Sequence, residues 1–151
     1  MTRIMVAGVG SPHGQDLAGW LVIDALEEDL QGYPSSMVLC VKLQTPIDLL
    51  DRAALGSDTG SSEEPIWILI DACVGIDPGA VRRWRWPEIP GEPATRSSTH
   101  ALGLIDTIRL AESLGILAKK VWIYGVSVED LQTSVGRCKE LVGADIAKLL
   151  A

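Results

Sequence analysis

The stretch IWILIDA, from Ile66 to Ala72, is the most uniformly apolar strand-length segment of the 151-residue chain. A strand with one face in water alternates apolar and polar residues, whereas a central strand of a parallel sheet is covered on both faces and reads as a continuous apolar run. We therefore predict that this segment is the central strand of a parallel sheet. Its one charged residue, Asp71, then stands near the carboxyl end of that strand.

The residues before this strand alternate between strand and helix patterns. Each of two apolar runs leads into a segment whose apolar residues recur at helical spacing. The predicted strands are RIMVAGVG (3–10) and MVLCVKLQ (37–44), and the predicted helices are DLAGWLVIDALEEDL (16–30) and TPIDLLDRAAL (45–55). In the second helix Thr45 is predicted as the N-cap, and Pro46 takes the first helical position.

The residues after the central strand continue the alternation. AVRRWRW (80–86) alternates as expected for an edge strand with one solvent-exposed face, and KKVWIYGVSV (119–128) is predicted as a fifth strand. Helices are predicted over 99–114 and 133–151. In the first of these helices Leu102, Ile105 and Leu110 are the expected buried stripe. The pattern predicts a single α/β domain over residues 1–151, a three-layer sandwich whose twisted, mostly parallel sheet of about five strands has helices on both faces.

Composition narrows the class of protein. A net charge of -7 argues against nucleic acid, whose backbone needs a basic face. The apolar runs are too short to span a membrane and the N-terminus lacks the pattern of a secretory signal, so we expect a cytoplasmic protein. Three widely spaced cysteines, Cys40, Cys73 and Cys138, are predicted to be buried free thiols.

Three ionisable groups are expected at one edge of the sheet, because ligands of open α/β sheets bind outside the carboxyl ends of the strands. Asp16 follows the first strand, Asp71 ends the third, and His100 lies in SSTHALGLID (97–106), at a helix start that favours a neutral imidazole. Each has a structural explanation too, since Asp16 can cap its helix, Asp71 can accept backbone N–H bonds and His100 can be a hydrogen-bonded histidine with no chemical role. Together they form a mixed nitrogen and oxygen ligand set that suits nickel, zinc or iron.

The glycine-rich loop GVGSPHG (8–14) leaves a second interpretation open. Its spacing, G-x-G-x-x-x-G, departs from the dinucleotide fingerprint, and no acid follows the second strand to bind a ribose. The backbone N–H groups of Gly10 to Gly14 suit an anion at a helix start, which keeps a phosphate-handling, phosphorylase-like transferase as an alternative. His13 in this loop is a candidate site residue or a plain exposed histidine.

Four segments together resemble the hydrogenase maturation proteases over nearly the whole chain. They are GVGSPHGQDLAGWLVIDALE (8–27), LIDACVGIDPG (69–79), SSTHALGLID (97–106) and VWIYGVS (121–127). These proteases are nickel-dependent endopeptidases that remove a C-terminal extension from the large-subunit precursor of nickel-iron hydrogenase. The resemblance implies a phosphorylase/hydrolase-like α/β sandwich in which Asp16, Asp71 and His100 contact nickel and carry catalysis. It also implies that a nickel-loaded precursor is the partner and delivers the ion.

The chain departs from the family pattern at three places. The family has two adjacent acids in the first loop where this chain has Gln15 and Asp16, its glycine-rich segment after the second strand reads LQTP (43–46), and Ser127 and Val128 replace an expected proline. These differences predict a divergent subgroup with its own hydrogenase partner. A non-catalytic chaperone that senses metal in a partner remains the alternative outside the enzymes.

Overall fold

The computed structural model describes residues 2–11, 17–57, 64–89 and 99–151, and these contain a five-stranded sheet and four helices. The elements follow one another as β1 (Thr2–Val9), α1 (Ala18–Asp29), β2 (Val38–Leu43), α2 (Asp48–Ser57), β3 (Glu64–Cys73), β4 (Val81–Arg85), α3 (Thr99–Ser113), β5 (Lys120–Ser127) and α4 (Leu131–Leu150). No helix among the described residues is long and apolar enough to cross a membrane.

The sheet has the order β2-β1-β3-β5-β4 and is parallel except at one edge. β1 pairs in parallel with β2 and β3, and β3 pairs in parallel with β5. β4 runs antiparallel to β5 at the edge. The predicted α/β fold, the central position of the strand with IWILIDA and the edge position of AVRRWRW are all confirmed.

The two faces of the sheet carry separate apolar cores, which is why the central strand is apolar throughout. Ile66, Ile68 and Ile70 pack toward α1 and α4, whereas Trp67 and Leu69 pack toward α2 and α3. All five side chains are at most 5% exposed. Because successive strand residues point to opposite faces, a strand covered on both sides needs an apolar residue at every position.

Two glycines bring α1 against the sheet. A Cβ atom on Gly19 would lie 2.3 Å from the carbonyl oxygen of Val9 and 2.8 Å from that of Ile70. A Cβ atom on Gly8 would lie 2.4 Å from the carbonyl oxygen of Gly19. The first turn of α1 therefore rests directly on the backbone of β1 and β3, an approach that any larger side chain would prevent.

Two details differ from the prediction, the start of regular helix in α2 and the burial of Leu110. Regular helix begins at Asp48 in α2, because the residues before it form i to i+3 turns: the N–H of Asp48 bonds to the carbonyl of Thr45, and that of Leu49 to the carbonyl of Pro46. The Asp48 carboxylate accepts the N–H of Thr45 at 3.2 Å, as the residue three positions after an N-cap does in a capping box, so Thr45 keeps the predicted N-cap position and only the start of regular helix is later. Leu110 in α3 is 44% exposed, and the buried residues of that helix include Leu104 and Ile108.

A polar network ties β4 and β5 to α4 on the face that carries α1. The Tyr124 hydroxyl donates a hydrogen bond to the Asp145 carboxylate, which also accepts two bonds from the Arg83 guanidinium at 2.8 and 2.9 Å. The guanidinium groups of Arg83 and Arg85 lie 5.1 and 5.3 Å from the centroid of the Trp122 ring. Burial is the main cause that raises the pKa of Tyr124, and the contact with Asp145 raises it further, so the hydroxyl remains a donor.

The three cysteines are free thiols as predicted, but Cys40 is only partly buried, whereas Cys73 and Cys138 are buried, the latter on the core side of α4. Burial raises the pKa of the Cys138 thiol, because the apolar core disfavours the thiolate. The unfolded chain begins to lose this proton near pH 8.5 while the folded chain keeps it, so unfolding releases a proton in alkaline solution. The folded state is then penalised as the pH rises.

We expect Cys138→Ala to weaken the alkaline loss of stability. The wild-type free energy of unfolding should fall more steeply with pH above about 9, by up to about 1.4 kcal/mol per pH unit, the contribution of one thiol. Urea titrations of both proteins between pH 7 and 10.5 measure the difference. The cost of the smaller side chain is the same at every pH and cancels. Parallel curves for the two proteins would contradict the prediction.

Candidate active site

The strand order creates a crevice at the carboxyl ends of β1 and β3. The chain leaves β1 toward β2 on one side and later returns to add β3 on the other side, with α1 and α2 on opposite faces of the sheet. Such a reversal of strand order sends the two connections to opposite faces of the sheet and leaves a crevice outside the carboxyl ends of the strands, where ligands of open α/β sheets bind. The sequence predicted the candidate residues at this edge.

Asp71 lies at this edge, as predicted. It is the third residue from the end of β3, is 4% exposed, and its Oδ1 atom accepts the backbone N–H of Ala72 at 2.8 Å. By strand alternation its side chain leaves the sheet on the face of Trp67 and Leu69, which is the face that carries α3. A carboxylate is therefore held in a nearly buried position beside the crevice.

The segment that contains Asp16 begins and ends at the same edge. The N–H of Gly10 bonds to the carbonyl of Leu43 at 2.9 Å, which joins the carboxyl ends of β1 and β2. The next described residue is Leu17, and Gly19 rests on the backbone of Val9 and Ile70. His13 and Asp16 themselves lie outside the described residues, so their predicted roles remain predictions.

The helix that carries His100 begins where the sequence predicted, at Thr99. A Cβ atom on Gly103 would lie 3.4 Å from Cγ of Pro46, which follows the carboxyl end of β2. The first part of α3 therefore lies at the same edge of the sheet as Asp71. The structure describes the backbone of His100 and not its side chain, so its predicted role as a ligand remains a prediction.

The described residues alone do not form a metal centre. Among them, no group of three His, Cys, Asp or Glu side chains is placed to hold an ion. Of the predicted ligand set, Asp71 is the one residue whose side chain the structure describes.

A row of residues beside Asp71 escaped the sequence analysis. Asp71 is in register with Gly125 of β5, and Gly125 is in register with Arg82 of β4. Burial raises the pKa of the neighbouring Cys73 thiol, while the positive charge of Arg82 lowers it and the charge of Asp71 raises it further. The sequence predicted an edge strand with one solvent-exposed face and no role for Arg82, because periodicity carries no information about which strand lies beside it.

Where the family pattern has a proline, this chain has Ser127, whose side chain closes a turn that leads into α4. The Ser127 hydroxyl donates to the carbonyl of Glu129 at 3.1 Å and accepts the N–H of Glu129 at 3.2 Å. The carbonyl of Ser127 accepts the hydroxyl of Ser134 at 2.7 Å. These bonds fix the end of β5 through side-chain hydroxyls where proline would act through its ring.

Comparisons with solved structures show the same fold at low identity. The hydrogenase maturating endopeptidase HybD from Escherichia coli is 22% identical, with 97% of this chain and 93% of that chain covered and a TM-score of 0.69. A solution structure of an endopeptidase from Escherichia coli has the same identity and coverage and a TM-score of 0.73. The NiFe hydrogenase maturation protease HycI from Thermococcus kodakarensis KOD1 is 22% identical, with 97% and 92% covered and a TM-score of 0.63.

Sequence comparison gives the family. No curated protein sequence matches the chain significantly. The HycI family model, described as hydrogenase maturation protease, matches residues 61–151, which is more than half of the chain and includes Asp71 and His100. This match favours a protease over the phosphate-handling alternative. The resemblance found in the sequence motifs is thus confirmed: the chain belongs to the hydrogenase maturation protease family.

Proposed function

We propose that the chain is a nickel-dependent endopeptidase that removes the C-terminal extension from the large-subunit precursor of a nickel-iron hydrogenase. The observation that carries the proposal is the nearly buried Asp71 carboxylate at the crevice of a maturation-protease fold. The start of α3, with His100, and both flanks of the segment with Asp16 lie at the same edge. This arrangement supports a single site built from all three residues.

In this proposal nickel belongs to the substrate. The precursor arrives with the ion bound by its own cysteines, and Asp16, Asp71 and His100 complete the coordination. One imidazole and two carboxylates suit a borderline divalent ion and leave positions open for thiolates of the precursor. The ion thereby identifies a precursor that is correctly loaded and ready for cleavage.

Cleavage of the extension is the hydrolysis of one peptide bond. The oxygen of a water molecule adds to the scissile carbonyl carbon, the C–N bond breaks, and the released amine takes up a proton. A carboxylate at the crevice assists by accepting the proton of the attacking water, and an ion beside the carbonyl assists by polarising it. In this proposal Asp71 either takes the first role or ligates the ion that takes the second.

The test is processing of a purified precursor, followed by intact mass. We expect the wild-type chain to shorten the nickel-loaded precursor and to leave the nickel-free precursor intact. Asp16→Asn and His100→Ala should leave the loaded precursor uncleaved at unchanged melting temperature. Asp24→Asn is the matched control, since it removes an exposed carboxylate of α1 whose ion pair with Lys42 contributes little.

Three results would contradict parts of the proposal. Equal cleavage of the nickel-free precursor would exclude nickel dependence. Normal cleavage by both Asp16→Asn and His100→Ala would exclude the assigned site. Binding of the loaded precursor without loss of its extension would favour the metal-sensing chaperone.

A further inference from the structure

Three neighbouring strands place Asp71, Gly125 and Arg82 in one row across the sheet. Asp71 pairs with Gly125, and Gly125 pairs with Arg82. Neighbouring strands lie about 4.8 Å apart, so the Cα atoms of Asp71 and Arg82 are about 10 Å from each other. At this distance the Arg82 side chain is long enough to bring its guanidinium group near the Asp71 carboxylate.

The residue between the two charged residues in this row is Gly125, which has no side chain. A Cβ atom on Gly125 would lie 2.9 Å from Cβ of Cys73 and 3.1 Å from the ring of Trp84. The edge of the Trp84 ring therefore covers Gly125 on the face that carries α3. Because residues two apart on a strand point to the same face, Arg82 leaves the sheet on this face as well.

Arg82 differs from the other two arginines of β4 in its partners. Arg83 and Arg85 lie on the opposite face, where Arg83 binds Asp145 and both stack near Trp122. Arg82 is exposed, and none of the ion pairs between side chains that the structure describes includes it. A guanidinium presents paired N–H donors that match a carboxylate, so an incoming acidic side chain would find a suitable partner.

We propose, on the basis of the function proposed above, that Arg82 binds an acidic side chain of the precursor's C-terminal extension and so holds the scissile segment beside Asp71. Arg82 is thus a positioning residue that determines substrate specificity. It acts on binding of the extension and leaves the chemistry to the residues of the crevice. The proposal assigns the extension to the α3 face of the sheet, between β3 and the edge strand.

The test compares Arg82→Ala, Arg82→Lys and the control Arg85→Ala in cleavage of the nickel-loaded precursor. A charge-assisted hydrogen bond contributes about 1.5–3 kcal/mol, so Arg82→Ala should raise KM about 10- to 100-fold while kcat stays within about 3-fold. Arg82→Lys should recover part of the loss, because it keeps the charge without the paired donors. Arg85→Ala, an exposed arginine of the same strand on the other face, should cleave normally.

Alanine substitutions at each acidic residue of the extension identify the partner. One of these precursor variants should raise the KM of the wild-type enzyme as much as Arg82→Ala does with the unchanged precursor. Combining that precursor variant with Arg82→Ala should raise KM little further. Unchanged KM in Arg82→Ala, an equal effect of Arg85→Ala, or full additivity with every acidic residue would overturn the inference. Failure of the wild-type chain to cleave any loaded precursor would instead refute the function proposed above.

Discussion

Asp71→Asn is expected to slow cleavage of the precursor by at least about 100-fold, the lower range for loss of a general acid or base. Asparagine has the same shape, and its Oδ1 atom keeps the bond from the Ala72 N–H that now measures 2.8 Å. The variant loses the negative charge, which either of the proposed roles requires. Intact mass of the precursor over time measures the rate, and the melting temperature shows that the variant is folded.

Asp145→Asn is the matched control for this variant. Asp145 is also a poorly exposed aspartate, with a side chain 14% exposed, but it binds Arg83 and Tyr124 on the face opposite to that of Asp71. We expect its replacement to lower stability through the weakened ion pair and to leave the cleavage rate unchanged. Cleavage at the wild-type rate by Asp71→Asn, or an equal loss in both variants, would contradict a role for Asp71 in the reaction.

Gly19→Ala is expected to destabilise the fold by about 3 kcal/mol, the upper end for overpacking of a core. The new methyl group would collide with the backbone of Val9 and Ile70, and backbone atoms inside a sheet cannot move aside as a flexible side chain does. For a chain of this length the melting temperature should fall by about 6–12 °C. Thermal unfolding followed by circular dichroism measures the shift.

Gly143→Ala provides the comparison within the same chain. Gly143 lies in α4, and nothing stands within 4 Å of the position its Cβ atom would take. The same substitution there should stabilise the protein by about 0.5–1 kcal/mol, because alanine favours helix. Similar melting temperatures for the two variants would show that α1 does not depend on its close approach to the sheet.

The fold followed from patterns that each depend on one element. The central strand is apolar at every position because it is covered on both faces, and this property is visible in IWILIDA without knowledge of its neighbours. The buried stripe of α3 was predicted less well. Leu110 follows Ile105 by five residues, which is about 140° around a helix, so the two cannot share the centre of one face.

The candidate site could be predicted only in part, for a similar reason. Asp71 was found because the end of a strand can be located from the strand alone. The proximity of Arg82 depends on the register of β4 against β5, which is set by long-range pairing and leaves no periodic mark in the sequence. Alternation within VRRWRW places Arg82 on the face opposite to that of Arg83 and Arg85, but only the pairing of β4 with β5 brings Arg82 into one row with Asp71.

The edge strand also bears on how the protein behaves at high concentration. The N–H of Trp86 donates to the carbonyl of Val121, and the carbonyl of Ala80 accepts the N–H of Ser127. Alternate residues along β4 therefore bond to β5, while the N–H groups of Arg83 and Arg85 point away from the sheet. Such an edge is a template on which a second copy can add a strand. Antiparallel self-pairing of two such strands would bring arginines of both copies together, and like charges that face each other across strands destabilise the pairing.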